Sequence, residues 1–583
     1  MRSVLERRCL FTLAFFVILL ALLASAPRGV AQGGEPQYFA IRGARVVPVS
    51  GPPVENATVV VARGIITAIG KDVAIPPDAW IIEGKGLTVY PGLFDAFTDV
   101  GIPAAAAGPG AGESTGPRRG GEVTSRGPED RPSTTPWRSA ADEVSFSDKR
   151  VESWRNGGFT TVVSSPKGGM LPGQAAVLDL GGERASDMVV KTPVAIPLSF
   201  QPGGGFGNFP GSLMGALAYI HQVLIDTDWT AHAQAAYEKN PKGVSRPRYD
   251  RTEAVLGEAL EDHALVLIPA NNSVQLRRAL VLADAWQVDS WDMDCVIYGG
   301  QMAYEVAPEI AERKIPVLVN LKWAEAEKDA DPDDEPSLRT LRFRDKAPSS
   351  PAALAKAGVK FGFYSGGITA PKDILKAAKK SIDAGLAPDA ALRALTLSPA
   401  EIYGVADRLG SIESGKIANL VVADGDLFEE KTKIKLVFVD GRRYEIHEPE
   451  KPKDPPKGNM TGKWKLSYTT PEGAEESTLD VEMAADGSLS GTTTSKRGTT
   501  TIISGYLSGD KFSYTINIPI EGNATDVVFS GTFDGTTLKG SIDVLGYSIE
   551  FTGVKPTANS SNTAASVTRS QIKNDSHVAG GAL

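Results

Sequence analysis

Asp95 and Asp99 lie four residues apart in the run Tyr90-Pro91-Gly92-Leu93-Phe94-Asp95-Ala96-Phe97-Thr98-Asp99. Two carboxylates could hold a hard cation, but without further oxygen ligands they make a poor site. Asp95 then braces the end of its strand and Asp99 helps to shape a cleft. Lys322 could pair with Asp99 or bind an anionic substrate, and a solvated lysine is the plainer alternative. Ser365 would act as a nucleophile only with a base beside it. Tyr298 and Asn271 could hydrogen-bond a ligand, or pack. These six, Asp95, Asp99, Asn271, Tyr298, Lys322 and Ser365, are the candidate cleft residues. The glycine-rich run Lys167-Gly168-Gly169-Met170-Leu171-Pro172-Gly173-Gln174 is not a phosphate loop, because the Gly-x-x-x-x-Gly-Lys-[Ser/Thr] order is missing.

Placing these residues requires strands. Apolar strand-like runs at 160–165, 193–199, 264–270, 295–298, 316–320 and 360–364 alternate with helical patterns at 213–224, 251–259, 276–286, 303–313 and 373–384. Strands apolar on both faces, each followed by a helix, imply a parallel sheet covered by helices. About eight such strands suggest a barrel, with 174–180 readable as a strand or a hairpin. Catalytic groups of such a barrel collect at the strand ends. The five histidines do not: His221 and His232 fall in or beside a helical stretch, His263 starts a strand, and His447 and His577 lie in a linker and a tail.

The expected organisation is a leader over 1–31, a small β-sandwich composed of 37–90 and 405–446, and a βα barrel over 91–404. An Ala/Gly/Pro/Arg/Ser-rich insertion over 102–140 reads as a mobile loop at the barrel mouth, either a lid or a segment without a role. A Pro/Lys/Glu-rich linker follows at 447–459. Residues 460–554 form strands separated by Asp486-Gly487, Ser508-Gly509-Asp510 and Asp534-Gly535, an antiparallel barrel or sandwich resembling lipocalin-like barrels in strand rhythm. The tail over 560–583 is polar and reads as disordered.

The leader carries Arg2, Arg7 and Arg8 before an apolar run over 9–26, with Gly29-Val30-Ala31 as a cleavage site. Export to the periplasm or beyond is the expectation; an uncleaved leader would be the one route to a membrane. Removing it leaves a chain more acidic than the full net charge of −9, which argues against nucleic acid as a partner. Cys295 is the only cysteine beyond the leader, so no intrachain disulfide forms there.

The Tyr90 to Asp99 run, the downstream Ala394-Leu395-Thr396-Leu397-Ser398-Pro399-Ala400-Glu401-Ile402-Tyr403-Gly404, and Leu409-Gly410-Ser411-Ile412-Glu413-Ser414-Gly415-Lys416-Ile417-Ala418-Asn419-Leu420 together resemble the amidohydrolase superfamily, nearest its imidazolonepropionase-like branch. The resemblance covers about residues 37–446. It implies a TIM-like (β/α)8 barrel with a composite β flank, and hydrolysis of carbon-nitrogen bonds by one or two divalent ions. The family segment reads P-G-[LI]-[IV]-D-x-H-x-H, and Phe97 and Asp99 stand at its two histidine positions. The remaining ligand positions fall on Pro269, Tyr298 and Ser365, where the family has histidine, histidine and aspartate. A bound ion lowers the pKa of its water from about 15.7 toward 7, on the order of 11 kcal/mol of activation.

No cofactor is therefore expected, and the expected role is a ligand-binding or partner subunit. Its partner would be an intact amidohydrolase homologue or a second copy. The alternative is a working hydrolase of small C-N substrates using groups such as Asp99, Lys322 and Ser365, or a divalent metal held in an unorthodox way. A carbohydrate- or envelope-binding role for the C-terminal β domain is a third reading.

Overall fold

The computed structural model describes residues 38–103, 131, 134–182, 184–200, 210–261, 265–288, 293–326, 336–446, 454–470, 473–496, 498–520, 523–544 and 547–555. The leader, most of the 102–140 insertion, half of the linker, the tail, His263, His447 and His577 lie outside them. The chain divides into two compact units, residues 1–446 and 447–583.

In the first unit, β1 (Tyr38–Val46), β2 (Val54–Ala62), β3 (Ile65–Gly70), β4 (Trp80–Glu83) and β5 (Thr88–Pro91) share one sheet with three strands from far downstream. Continuing the chain-order numbering, those are β14 (Leu420–Ala423), β15 (Ile434–Val439) and β16 (Arg442–Glu445). The two flanks therefore join in one eight-stranded sheet, through β5 antiparallel to β14.

Pro91-Gly92 carries the chain from β5 into the barrel. Gly92 approaches the strand Phe159–Ser164 so closely that a Cβ there would overlap Thr160, and its N–H donates to the Asn419 carbonyl at 2.8 Å. The glycine of the Pro-Gly motif is thus required by the junction between sheet and barrel.

The barrel strands are β6 (Leu93–Thr98), β7 (Phe159–Ser164), β8 (Ala175–Asp179), β9 (Val189–Pro197), β10 (Leu265–Ala270), β11 (Cys295–Gly299), β12 (Val317–Asn320) and β13 (Phe361–Tyr364), paired in sequence order. Most are buried on both faces, as their unbroken apolar runs require. One strand departs from the all-parallel expectation: β8 runs antiparallel to both β7 and β9. The connection over 165–174 is shorter than the dozen or so residues that a parallel crossover needs, so the strand can only return beside its predecessor.

Helices cover the barrel, among them α1 (Lys149–Asn156), α2 (Leu213–Lys239) and α3 (Arg251–Glu261). The helix expected over 213–224 runs on to Lys239. Among the described residues no helix is long and apolar enough to cross a membrane.

The second unit is a closed antiparallel barrel of eight strands, β17 (Gly462–Thr470) to β24 (Tyr547–Val554), with β24 returning to pair with β17. Its turns are those read from the sequence, with Gly487, Gly509 and Gly535 all at positive φ. Trp464, Phe512, Tyr514, Phe529 and Phe551 fill its interior, Tyr514 stacking on Phe529 at 4.6 Å between centroids.

Candidate functional site

The C-terminal ends of the parallel strands and the 165–174 turn make up the barrel mouth. Between Asp95 and Thr98 the β6–β7 pairing is irregular, and within that stretch Phe97 packs on the cluster that fills the barrel interior. Its ring meets Tyr298, at the end of β11, at 5.0 Å, and Tyr364, at the end of β13, at 5.9 Å. Tyr298 and Tyr364 are 6.3 Å apart. Three rings in tilted and edge-on contact thus occupy the centre of the mouth. The Tyr298 hydroxyl donates to the Leu198 carbonyl at 2.7 Å. Burial pushes both phenols above their ordinary range, with the neighbouring Tyr298 adding to the effect on Tyr364.

Asp95 holds the two ends of the barrel sheet together. One oxygen accepts the Ser365 backbone N–H at 2.9 Å, just past β13, and the other accepts Trp154 Nε1 of α1 at 3.2 Å. Burial raises its carboxyl to about 6 against the pull of these donors. Asp95→Ala would leave two buried donors without an acceptor. The expected loss is about 2–3 kcal/mol, read as a lower denaturation midpoint at unchanged slope; an unmoved midpoint would show that the barrel closes without this clasp.

Asp99 turns to two cations. Lys167 Nζ lies 2.8 Å from its carboxylate and an Arg150 guanidinium nitrogen 3.1 Å. Burial would raise this carboxyl, but Lys167 and Arg150 hold it below the usual range. Arg150 is fixed in turn by Asp148, the N-cap of α1, at 2.7 Å, and by the carbonyls of Asp99 and Ile102. The pairing of Asp99 with Lys322 that the sequence allowed gives way to this network.

Lys322 is exposed, and its backbone is held by Asn320 and Gln301. Asn271 lies beside Gly299, its backbone N–H donating to Gln275. Ser365 is buried against Asp95, and the two histidines among the described residues, His221 and His232, both lie on α2. The structure thus gathers Phe97, Tyr298 and Tyr364 at one place and Asp95 with Ser365 at another. It leaves Asn271 and Lys322 on the rim. Sequence reasoning missed Arg150, Lys167, Trp154 and Tyr364; the one available signal was that Lys167 opens the glycine-rich turn after a strand. Cys295 is buried and its thiol is pushed up to about 12 by burial, so it offers no thiolate at neutral pH.

The donor set does not fit a divalent ion. A catalytic zinc needs three protein ligands, whereas the strand ends present a phenyl ring, the Asp99 carboxylate already paired with Lys167 and Arg150, a proline, a phenol already donating its proton, and a buried serine. Among the described residues no three His, Cys, Asp or Glu side chains come together to hold a metal.

Residues 321–444 match the amidohydrolase family model. The solved amidohydrolase from Thermotoga maritima MSB8 is 25% identical, spans 70% of this chain and 100% of its own, and has a TM-score of 0.57. A prolidase complexed with N-methylphosphonate-L-proline (17% identity, TM-score 0.43) and a Xaa-Pro dipeptidase with bound methionine (18%, 0.41) also align over 70% of this chain and 100% of their own. Among curated proteins nothing matches.

Proposed function

We propose that this chain, which belongs to the amidohydrolase superfamily, is an exported, metal-free member whose barrel serves as a ligand-binding or partner subunit instead of a hydrolase. The observation that carries the reading is the aromatic filling of the mouth: Phe97, Tyr298 and Tyr364 stand in mutual contact at the strand ends. Of the two acids in the motif, Asp95 is buried and bound to the Ser365 N–H and Trp154 Nε1, and Asp99 is paired with Lys167 and Arg150. Hydrolysis of an amide at neutral pH needs an activated water and a polarised carbonyl. These residues supply neither an ion nor a free base at that point. Export rests on the basic and apolar leader.

Elemental analysis of the purified chain is the direct test. Zinc, iron and manganese should each stay well below one equivalent, since a catalytic zinc needs three protein ligands. Dipeptides, hydantoins and lactams should go unhydrolysed. A full equivalent of tightly held metal together with turnover that a chelator abolishes would sink the proposal.

A further inference from the structure

The interior of the second unit holds three hydroxyls that folding alone does not account for. They belong to Ser477 on β18 (Gly473–Met483), Thr493 on β19 (Leu489–Ser495) and Tyr514 on β21 (Lys511–Ile520). These residues are 4%, 4% and 1% exposed, and among the described residues none of the three oxygens has a hydrogen-bond partner. A buried hydroxyl left unpaired costs stability, whereas alanine, valine and phenylalanine would fill the same places without that loss.

The three lie on one side of the barrel. Leu479 stands opposite Thr493, so Ser477, the next inward residue of β18, is the diagonal neighbour of Thr493 on the inner face. Thr493 bears on the Tyr514 phenol across β20 (Gly498–Ser508). There Gly505 stands opposite Tyr514, and a Cβ on it would come within 2.8 Å of the Tyr514 Cβ. Stacking on Phe529 and Phe512 fixes the Tyr514 ring, so its hydroxyl cannot swing away to find another partner. One inward step further on, Ile502, Ile516 and Val527 pair in register across β20, β21 and β22 (Asn523–Phe533). They make an aliphatic wall running from the hydroxyls toward the Ile520–Asn523 end of the barrel. Every described lysine of this unit is exposed, and its described residues include no arginine or histidine.

We propose that the second unit binds inside its barrel an uncharged, straight-chain molecule with one hydroxyl or carbonyl, a fatty alcohol or long-chain ketone, its polar head hydrogen-bonded to Ser477, Thr493 and Tyr514. Eight antiparallel strands close around a space that side chains fill or that one small ligand occupies. A carboxylate or phosphate head would meet no cation there, and a hydrocarbon without a head would leave the hydroxyls unpaired. The alkyl tail lies along the aliphatic wall. The proposal concerns the second unit and stands whether or not the first unit hydrolyses anything.

Calorimetric titration of the full chain with 1-octanol tests it. Octanol should bind saturably at one equivalent, and octanoate at pH 8 at least about tenfold more weakly, the factor for one buried hydrogen bond or more. Thr493→Val combined with Tyr514→Phe should weaken octanol binding by about the same factor. Absence of saturable octanol binding to the parent overturns the proposal and makes buried water the partner of the hydroxyls. Octanoate binding as tightly as octanol, or undiminished octanol binding by the double variant, overturns it as well. Should the double variant not fold, the comparison of octanol with octanoate on the parent decides alone.

Discussion

Asp179→Asn is expected to raise the melting temperature by several degrees at pH 9 and to leave it nearly unchanged at pH 4. Asp179 ends β8 and is fully buried. One of its oxygens accepts Thr161 Oγ1 at 2.6 Å and Asn419 Nδ2 at 2.9 Å, while the other has no partner. Burial raises its carboxyl to about 8, and the facing Asp440 adds to the rise, with Arg408 pulling the other way. Asp440 is itself raised, by burial and by Asp187, against Arg442. An acid whose folded value lies above its unfolded one contributes stability in full below the unfolded value and loses it as pH climbs through the folded one. Stability from Asp179 is therefore lost as pH climbs from the ordinary carboxylate range through the raised folded value. Asparagine keeps the acceptor for Thr161 and Asn419 and cannot ionise. Thermal melts of both chains from pH 4 to pH 9 check this: the curves should diverge as pH rises. Parallel curves would mean that Asp179 never carries its proton into the neutral range.

The position of Asp179 gives that loss its meaning. Asn419 donates to Asp179 in the barrel and accepts the Asp440 backbone N–H at 2.8 Å from the composite sheet. Ionisation of Asp179 acts on the seam between the two layers, so the sheet and the barrel should loosen from one another first.

Phe97→Ala should cost about 2–3 kcal/mol, below the range for a fully buried phenylalanine because this ring is only half-buried. The space left between Tyr298 and Tyr364 would be apolar, and apolar voids of this kind take up small aromatic molecules. Phenol should accordingly raise the melting temperature of the variant and not that of the parent. Zinc should do neither, even when Phe97→His and Asp99→His are combined, because Pro269, Tyr298 and Ser365 still deny the ion a third ligand. Stoichiometric zinc in that double variant would falsify the claim that the mouth lacks a ligand set.

Much of the architecture was legible in the chain. Strands such as Phe159–Ser164 and Phe361–Tyr364 announce themselves as apolar runs, and the turns of the second unit by their Asp-Gly and Ser-Gly pairs. The direction of β8 was not, since an apolar pentapeptide carries no arrow; only the shortness of the 165–174 connection could have revealed it. The helix expected over 213–224 was cut short because its second half lacks a buried face, and burial is what the helical pattern records. At the mouth, Phe97, Tyr298 and Ser365 were found by position in a motif. Arg150 and Lys167 were not, because ion pairs across 51 and 68 residues leave no periodic trace. The electrostatic repulsion between Asp179 and Asp440 leaves no trace in the sequence for the same reason.

The union of β5 with β14 bears on how the chain is made. Leu420 pairs with Pro91 and Ala423 with Thr88, so the first strands must wait for a partner that leaves the ribosome more than 300 residues later. At about 5–20 residues per second that interval is roughly 15 to 60 seconds. Through it the edge of β5 offers unpaired N–H and C=O groups to whatever is near. A nascent chain in that condition is open to wrong strand pairing for the whole of the interval.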